Sequence, residues 1–171
     1  NDKYSHSLNV YVDPEYKPVD HTKVEFKKMF PRVYGYLSFL ASGDKQHTEF
    51  LIDWIAGACY TGKNCVALGF MGIEGTGKST FVNMLLSQLL PDGGVLTTSE
   101  PDKFVFGNFN GHIQNKHVIQ IDECGDKYAH TQSYANKLKT GITSEEMLIH
   151  NKFQTPVMCN SNINLVSSSN D

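Results

Sequence analysis

An α/β domain is what this sequence predicts: a parallel sheet flanked by helices, with a short helical N-terminal lead-in. From Lys63 onward, apolar runs of strand length alternate with segments of helical periodicity, the pattern of strands joined by crossover helices. A glycine-rich loop stands between the first such run and the helix that follows it. Ahead of residue 63, helical patterns occur without an intervening strand. A chain of 171 residues can bury one sizeable core, but is short for two ordinary domains.

Taken in order, residues 1–20 carry Pro14 and Pro18 among polar groups and read as a linker or irregular arm. Between Thr22 and Leu40, Val24, Phe26, Met29, Phe30, Val33, Tyr36, Leu37 and Leu40 have helical spacing, which Pro31 must break or kink. Thr48–Tyr60 is a clearer helix, with Phe50, Leu51, Trp54, Ile55 and Ala58 on one face. Val66–Met71 is a first strand. Lys78–Leu90 is a helix with Phe81, Val82, Met84, Leu85, Leu86 and Leu89 apolar, stopped by Pro91-Asp92-Gly93-Gly94. Val95–Thr98 is a second strand, Pro101–Lys116 a helical stretch, and His117–Asp122 a third strand. Ser133–Thr140 reads as a helix ending at Gly141, and Thr155–Asn160 as a fourth strand of the sheet. The expected division is a linker and lead-in over 1–62 and a core over 63–171.

Composition narrows the partners. The chain is 40% hydrophobic and 19% charged with a net charge of −3, so a uniformly basic surface is excluded and any nucleic acid must be met by a local patch. Apolar runs fall far short of the roughly 20 residues of a membrane span, and no membrane partner is expected. Cys59, Cys65, Cys124 and Cys159 show no metal-binding spacing and read as reduced thiols of an intracellular protein. The absence of an initiator Met and the close on Ser-Ser-Ser-Asn-Asp suggest an excised domain.

Gly72-Ile73-Glu74-Gly75-Thr76-Gly77-Lys78-Ser79, followed by Thr80, fits the phosphate-binding pattern G-x-x-x-x-G-K-[ST] in its required strand–helix setting. Such glycines let the backbone wrap a phosphate so that amides and a helix N-terminus face its charge. Lys78 would reach the β- and γ-phosphates of ATP and the Ser79 hydroxyl would ligate Mg²⁺. A second signal is the strand Val118-Ile119-Gln120-Ile121-Asp122-Glu123. Asp122 suits an Mg²⁺-holding carboxylate and Glu123 the base that orients and deprotonates water. Acids also cap strands at surfaces, so this pair gains meaning only beside the loop. Gln120 interrupts the apolar run, and the sequence offers no reason for it.

The segments GFMGIEGTGKSTF, FGNFNGHIQNKHVIQIDE and TPVMCNSNINL together resemble the superfamily 3 helicases of viruses, phages and plasmids, above all the helicase part of primase-helicases; TEFLIDWIAGACY upstream is similar too. The resemblance runs from Glu49 to Asp171. It implies a P-loop NTPase (AAA+-like) fold and an ATP-driven motor translocating on single-stranded DNA as a ring, a hexamer by expectation, with ATP bound between subunits. It implies a γ-phosphate-sensing Asn after the last strand, which by register is Asn162, with Asn160 as a substitute. It also implies a channel hairpin near Glu145–Phe153, where Lys152 and His150 would contact DNA. A fused primase or origin-binding domain and a place at viral or plasmid replication sites in a host cell follow from the same likeness.

Such motors complete a neighbour's pocket with an arginine. The chain's arginine, Arg32, precedes the loop and reads as structural; the resemblance puts the finger beyond Asp171, so slow ATP hydrolysis is expected. A P-loop kinase for a small acceptor would normally bring an arginine-rich lid. An AAA+-like ATPase acting on protein or RNA shares the hydrolytic core and is separated poorly by sequence. A non-enzymatic module is disfavoured by the intact Lys78, Ser79, Asp122 and Glu123.

Overall fold

The computed structural model describes residues 25–60, 62–122 and 132–170. The arm over 1–20, Glu123 and Cys124 lie outside the described residues. The chain enters through α1 (Phe26–Met29) and α2 (Pro31–Leu40), with Pro31 at the start of α2, where its missing N–H costs nothing. The break foreseen at this proline therefore falls at Phe30. Next comes α3 (Lys45–Tyr60), longer at its start than the apolar pattern suggested, because Asp44 accepts a hydrogen bond from the His47 amide at 2.8 Å and caps the first turn. Leu51, Trp54 and Ala58 are buried as expected, but Phe50 is exposed.

Strand β1 (Leu68–Met71) leads through the glycine-rich loop into a helical run made of α4 (Lys78–Thr80), a π-helical stretch (Phe81–Leu86) and α5 (Ser87–Leu89). β2 (Val95–Thr98) follows, then α6 (Pro101–Phe104). The helix expected across Pro101–Lys116 is reduced to α6 and a single 3-10 turn at Gly111–Ile113. Gly107 explains part of this: a Cβ there would stand 2.5 Å from the Lys103 carbonyl, so the chain packs too tightly for an ordinary residue. β3 (Val118–Asp122) and α7 (Gln132–Thr143) complete the predicted series, α7 running past Gly141.

The largest departure lies after α7. The predicted fourth strand is β5 (Val157–Asn160), and it does not enter the parallel sheet; it pairs antiparallel with β4 (Glu146–Ile149) in a hairpin. The strand that does enter is β6 (Asn164–Ser169), whose serines concealed it from an apolar-run criterion. The sheet order is β1-β6-β3-β2, every pairing parallel. β6 therefore sits between the strand that leads into the glycine-rich loop and the strand of the acid.

Alternation along the strands divides the core into two layers. Val118 and Val166 face Leu37, Leu51, Trp54, Phe81, Val82 and Leu86 from the lead-in and the helix after the loop. Ile119, Ile121 and Leu165 face the other way, toward Val105, Ile113, Ile149 and Ile163. Helices thus cover the sheet on its lead-in side and the hairpin docks at the opposite layer.

Candidate nucleotide site

Parallel register brings the carboxyl ends of the strands to one edge, where open α/β sheets characteristically hold ligands. Met71 of β1 pairs with Ser169 of β6, and Asp122 of β3 pairs with Ser168. The glycine-rich loop begins directly after Met71. Gly75 and Gly77 have φ of +80° and +86°, backbone that side chains with a Cβ rarely adopt. Gly77 packs beside the Tyr36 ring, which a Cβ there would touch at 3.4 Å, an ordinary van der Waals contact.

Within this loop Lys78 is 8% exposed, and its ammonium donates to the carbonyls of Gly72 (2.6 Å) and Ile73 (2.9 Å) and to Asn170 Oδ1 (3.0 Å). The cation is thereby held at the loop's centre. Thr76 Oγ1 donates to the Ile73 carbonyl at 2.9 Å, tightening the turn. Ser79 is half-buried at the start of the helical run and Thr80 is exposed. From α2, the Tyr36 hydroxyl donates to the Gly77 carbonyl at 2.8 Å, and burial pushes its pKa up to about 12. The lead-in is thus fastened to the loop itself, a contact that no motif announces.

At the end of β3, Asp122 is half-buried, and the Ser168 hydroxyl donates a short hydrogen bond to its Oδ1. The Ser79 hydroxyl and the Asp122 carboxylate are hard oxygen donors of the kind Mg²⁺ takes. Their chemistry therefore fits that ion, and the carboxylate's orientation is already held from one side. Among the described residues there is no cluster of His, Cys, Asp and Glu with the makings of another metal site.

The site corrects one residue. Asn162 does not reach the glycine-rich loop: it precedes β6, beside Gly62, and its carbonyl accepts from the Asn164 side chain at 3.2 Å. The six residues of β6, at about 3.3 Å each, separate it from the loop by on the order of 20 Å. Asn160 ends β5 in the hairpin and is equally remote in topology. The Asn that does reach the loop is Asn170, which follows β6 and contacts Lys78. The signal that could have found it is the run Val166-Ser167-Ser168-Ser169-Asn170, an apolar start followed by small polar residues ending in Asn.

His150 and Lys152 occupy the loop joining β4 to β5, so they do share a hairpin. The His150 ring packs against Phe109 at 4.9 Å between centroids, and its amide donates to Asn110 Oδ1 at 2.8 Å. Lys152 lies over the ring of Phe153 at 5.1 Å, and Phe153 is 92% exposed with a φ of +65°. The hairpin leads into the amino end of β6, so its base lies at the opposite end of the sheet from the glycine-rich loop. Arg32 is exposed on α2. No described helix is long and apolar enough to cross a membrane.

Fold and site together define a mixed α/β protein whose parallel sheet, flanked by helices, presents a glycine-rich loop, a lysine and a carboxylate at one edge. Residues 70–171 match a family described as "Family of unknown function (DUF5906)", and the chain belongs to that family. It is 28% identical over 159 residues to the DNA primase-polymerase of Nitratiruptor phage NrS-1, covering 91% of this chain and 22% of that protein. A shorter similarity, 36% over 76 residues, links 42% of the chain to 12% of Protein Pixie of Drosophila melanogaster. The chain thus spans less than a quarter of either relative.

Among solved structures, an apo structure of the NrS-1 C-terminal region (305–718) aligns with a TM-score of 0.70 at 27% identity, over 91% of this chain and 38% of that one. An A-form apo structure of the same region aligns at 0.67 and 27%, over 91% and 37%.

Proposed function

We propose that this chain is the ATP-hydrolysing motor of a phage-type replicative DNA helicase of superfamily 3, a P-loop NTPase core (63–171) behind a linker and helical lead-in (1–62). The observation that carries the reading is the position of Lys78. It is nearly buried at the centre of a glycine-rich loop, and it touches an Asn at the end of the strand lying between that loop and Asp122. Similarity to the primase-polymerase of a phage supports the replication context.

In this reading, the amides of Gly75, Thr76, Gly77, Lys78, Ser79 and Thr80, with Gly72 at the loop's entry, would wrap the phosphates of ATP. Lys78 would exchange its carbonyl partners for β- and γ-phosphate oxygens. Ser79 and Asp122 would hold Mg²⁺, which supplies charge neutralisation at the phosphates. Glu123 would take the proton of the attacking water, and Asn170 would bind the γ-phosphate side of the pocket. Lys152 and His150 on the hairpin would meet single-stranded DNA, with rings of subunits, hexamers by preference, passing it through a channel.

The test measures binding of a fluorescent ATP analogue with Mg²⁺, and ATP turnover with and without single-stranded DNA, for the chain and its Lys78→Ala variant. Binding that disappears in the variant, with turnover raised by DNA, supports the motor. Equal binding by both proteins removes the nucleotide reading. Binding that depends on Lys78 while turnover answers to RNA, a protein or a small acceptor, and not to DNA, keeps the nucleotide site and discards the helicase.

A further inference from the structure

Gln120 is 0% exposed in the middle of a strand whose other inner positions are Val118, Ile119 and Ile121. A buried amide is costly unless it is hydrogen-bonded on both its ends. Here it is: Nε2 donates to Ser168 Oγ at 3.1 Å, and Oε1 accepts from Thr97 Oγ1 at 3.3 Å. Ser168, 4% exposed, donates in turn to Asp122 Oδ1. On the far side, Thr97 lies 3.2 Å from Asn83 Oδ1 in the helical run after the phosphate loop.

The direction of this chain follows from Asp122. An ionised carboxylate only accepts, so the single Ser168 proton must go to it. Ser168 Oγ is then left as an acceptor, which obliges the amide group of Gln120 to face it and the carbonyl end of Gln120 to face Thr97. Register makes the arrangement compulsory, because residues 118, 120 and 122 share one face of β3 and Ser168 stands opposite Asp122. A polar line therefore crosses β2, β3 and β6 and ends on the carboxylate.

We propose that Ser168 and Gln120 are positioning residues that hold Asp122 in the orientation needed for a divalent cation at the nucleotide, Gln120 acting through Ser168. This rests on the nucleotide reading above. With Oδ1 committed to Ser168, Oδ2 would be the oxygen left available to a divalent cation. Groups standing behind a metal-holding residue typically govern affinity by about tenfold to a hundredfold.

The experiment measures the dissociation constant of a fluorescent ADP analogue in excess Mg²⁺ and in EDTA. The proteins are the chain, Lys78→Ala, Ser168→Ala, Ser168→Thr and Gln120→Met, with thermal melting of each. The expected result is a Mg²⁺ enhancement of affinity reduced about tenfold in Ser168→Ala, restored in Ser168→Thr, and reduced in Gln120→Met. Affinity in EDTA stays at the parental value in the Ser168 and Gln120 variants, while Lys78→Ala binds in neither medium. A purely structural role would weaken binding in both media and leave the ratio alone, and that outcome overturns the proposal. So does an unchanged ratio in Ser168→Ala; in both cases the nucleotide site survives. If Ser168→Ala does not fold, the Gln120→Met ratio decides by the same criterion. If the parent binds no better than Lys78→Ala, the nucleotide reading and this inference fall together.

Discussion

Two lysines stand at opposite ends of the sheet, and each has three acceptors. Lys63 donates to the carbonyls of Gly141 (3.2 Å) and Ser144 (2.5 Å) and to Ser161 Oγ (3.1 Å). Lys78 donates to the carbonyls of Gly72 and Ile73 and to Asn170 Oδ1. The difference lies in where the acceptors come from. Those of Lys63 are 78, 81 and 98 residues distant, so the ammonium staples the end of α7 and the segment between β5 and β6 to the stretch before β1. Burial pulls its pKa down, with Cys65 and Glu145 opposing that pull. Two of the acceptors of Lys78 belong to its own loop, five and six residues away, and are placed there by left-handed glycines. A lysine that joins distant elements is a clamp; one whose carbonyl acceptors belong to its own turn can trade them for phosphate without unfastening the fold.

The sharpest way to break this comparison is to exchange its consequences. Lys78→Ala should abolish measurable nucleotide binding in a protein that still folds. Lys63→Met should cost about 1–3 kcal/mol of stability, by orphaning carbonyls and a hydroxyl, and leave nucleotide affinity intact in the folded protein. Thermal melting beside a binding titration reads both, and a swapped pattern would refute the assignment. Next in size, Asn170→Ala should lower ATP turnover by about a hundredfold, the scale of losing one donor to transition-state charge. Asn162→Ala should lower it by no more than twofold, and steady-state rates of the pair distinguish which end of β6 serves the site.

A smaller effect belongs to the lead-in. Tyr36→Phe keeps the ring and deletes only the donor to Gly77, so nucleotide affinity should fall about fivefold, the worth of roughly 1 kcal/mol; equilibrium titration would detect it. The smallest is a pH effect at the clamp end of the sheet. Burial lowers the His117 pKa from its ordinary 6.5. The unfolded chain therefore takes up that proton first, and stability should decline as pH falls below 6.5. His117→Gln should flatten that portion of the curve of denaturation midpoint against pH.

The glycine-rich loop and the acid of the candidate site are legible from residues alone, because each is a run of chain neighbours. The glycine spacing, Lys78 and Ser79 are contiguous, and the strand before them is an ordinary apolar run, while the helical run after them winds in part as a π-helix. Asp122 was legible for the same reason, at the end of an apolar run. What the periodicities misassigned lies after α7, where two stretches of strand-forming residues compete for one slot. Val157–Asn160 is the more apolar, yet it is exposed at Val157 and Met158 and forms the hairpin. Asn164–Ser169 is the more polar, yet it lies in the sheet, because its buried polar groups find partners there: Asn164 with Gly62 and His117, Ser168 with Gln120 and Asp122.

By itself, then, the sequence determined the α/β class, the glycine-rich loop and its lysine, the acid at the end of β3 and the presence of a helical lead-in, since each is written in the spacing of neighbouring residues. Only the tertiary structure decided that β6 separates β1 from β3, that Asn170 and not Asn162 meets Lys78, that Tyr36 fastens the loop, and why Gln120 interrupts an apolar strand. The physical reason is common to all of these. A polar group's suitability for the interior depends on what stands across from it, and strand order, which sets that partner, is not encoded in any window of consecutive residues.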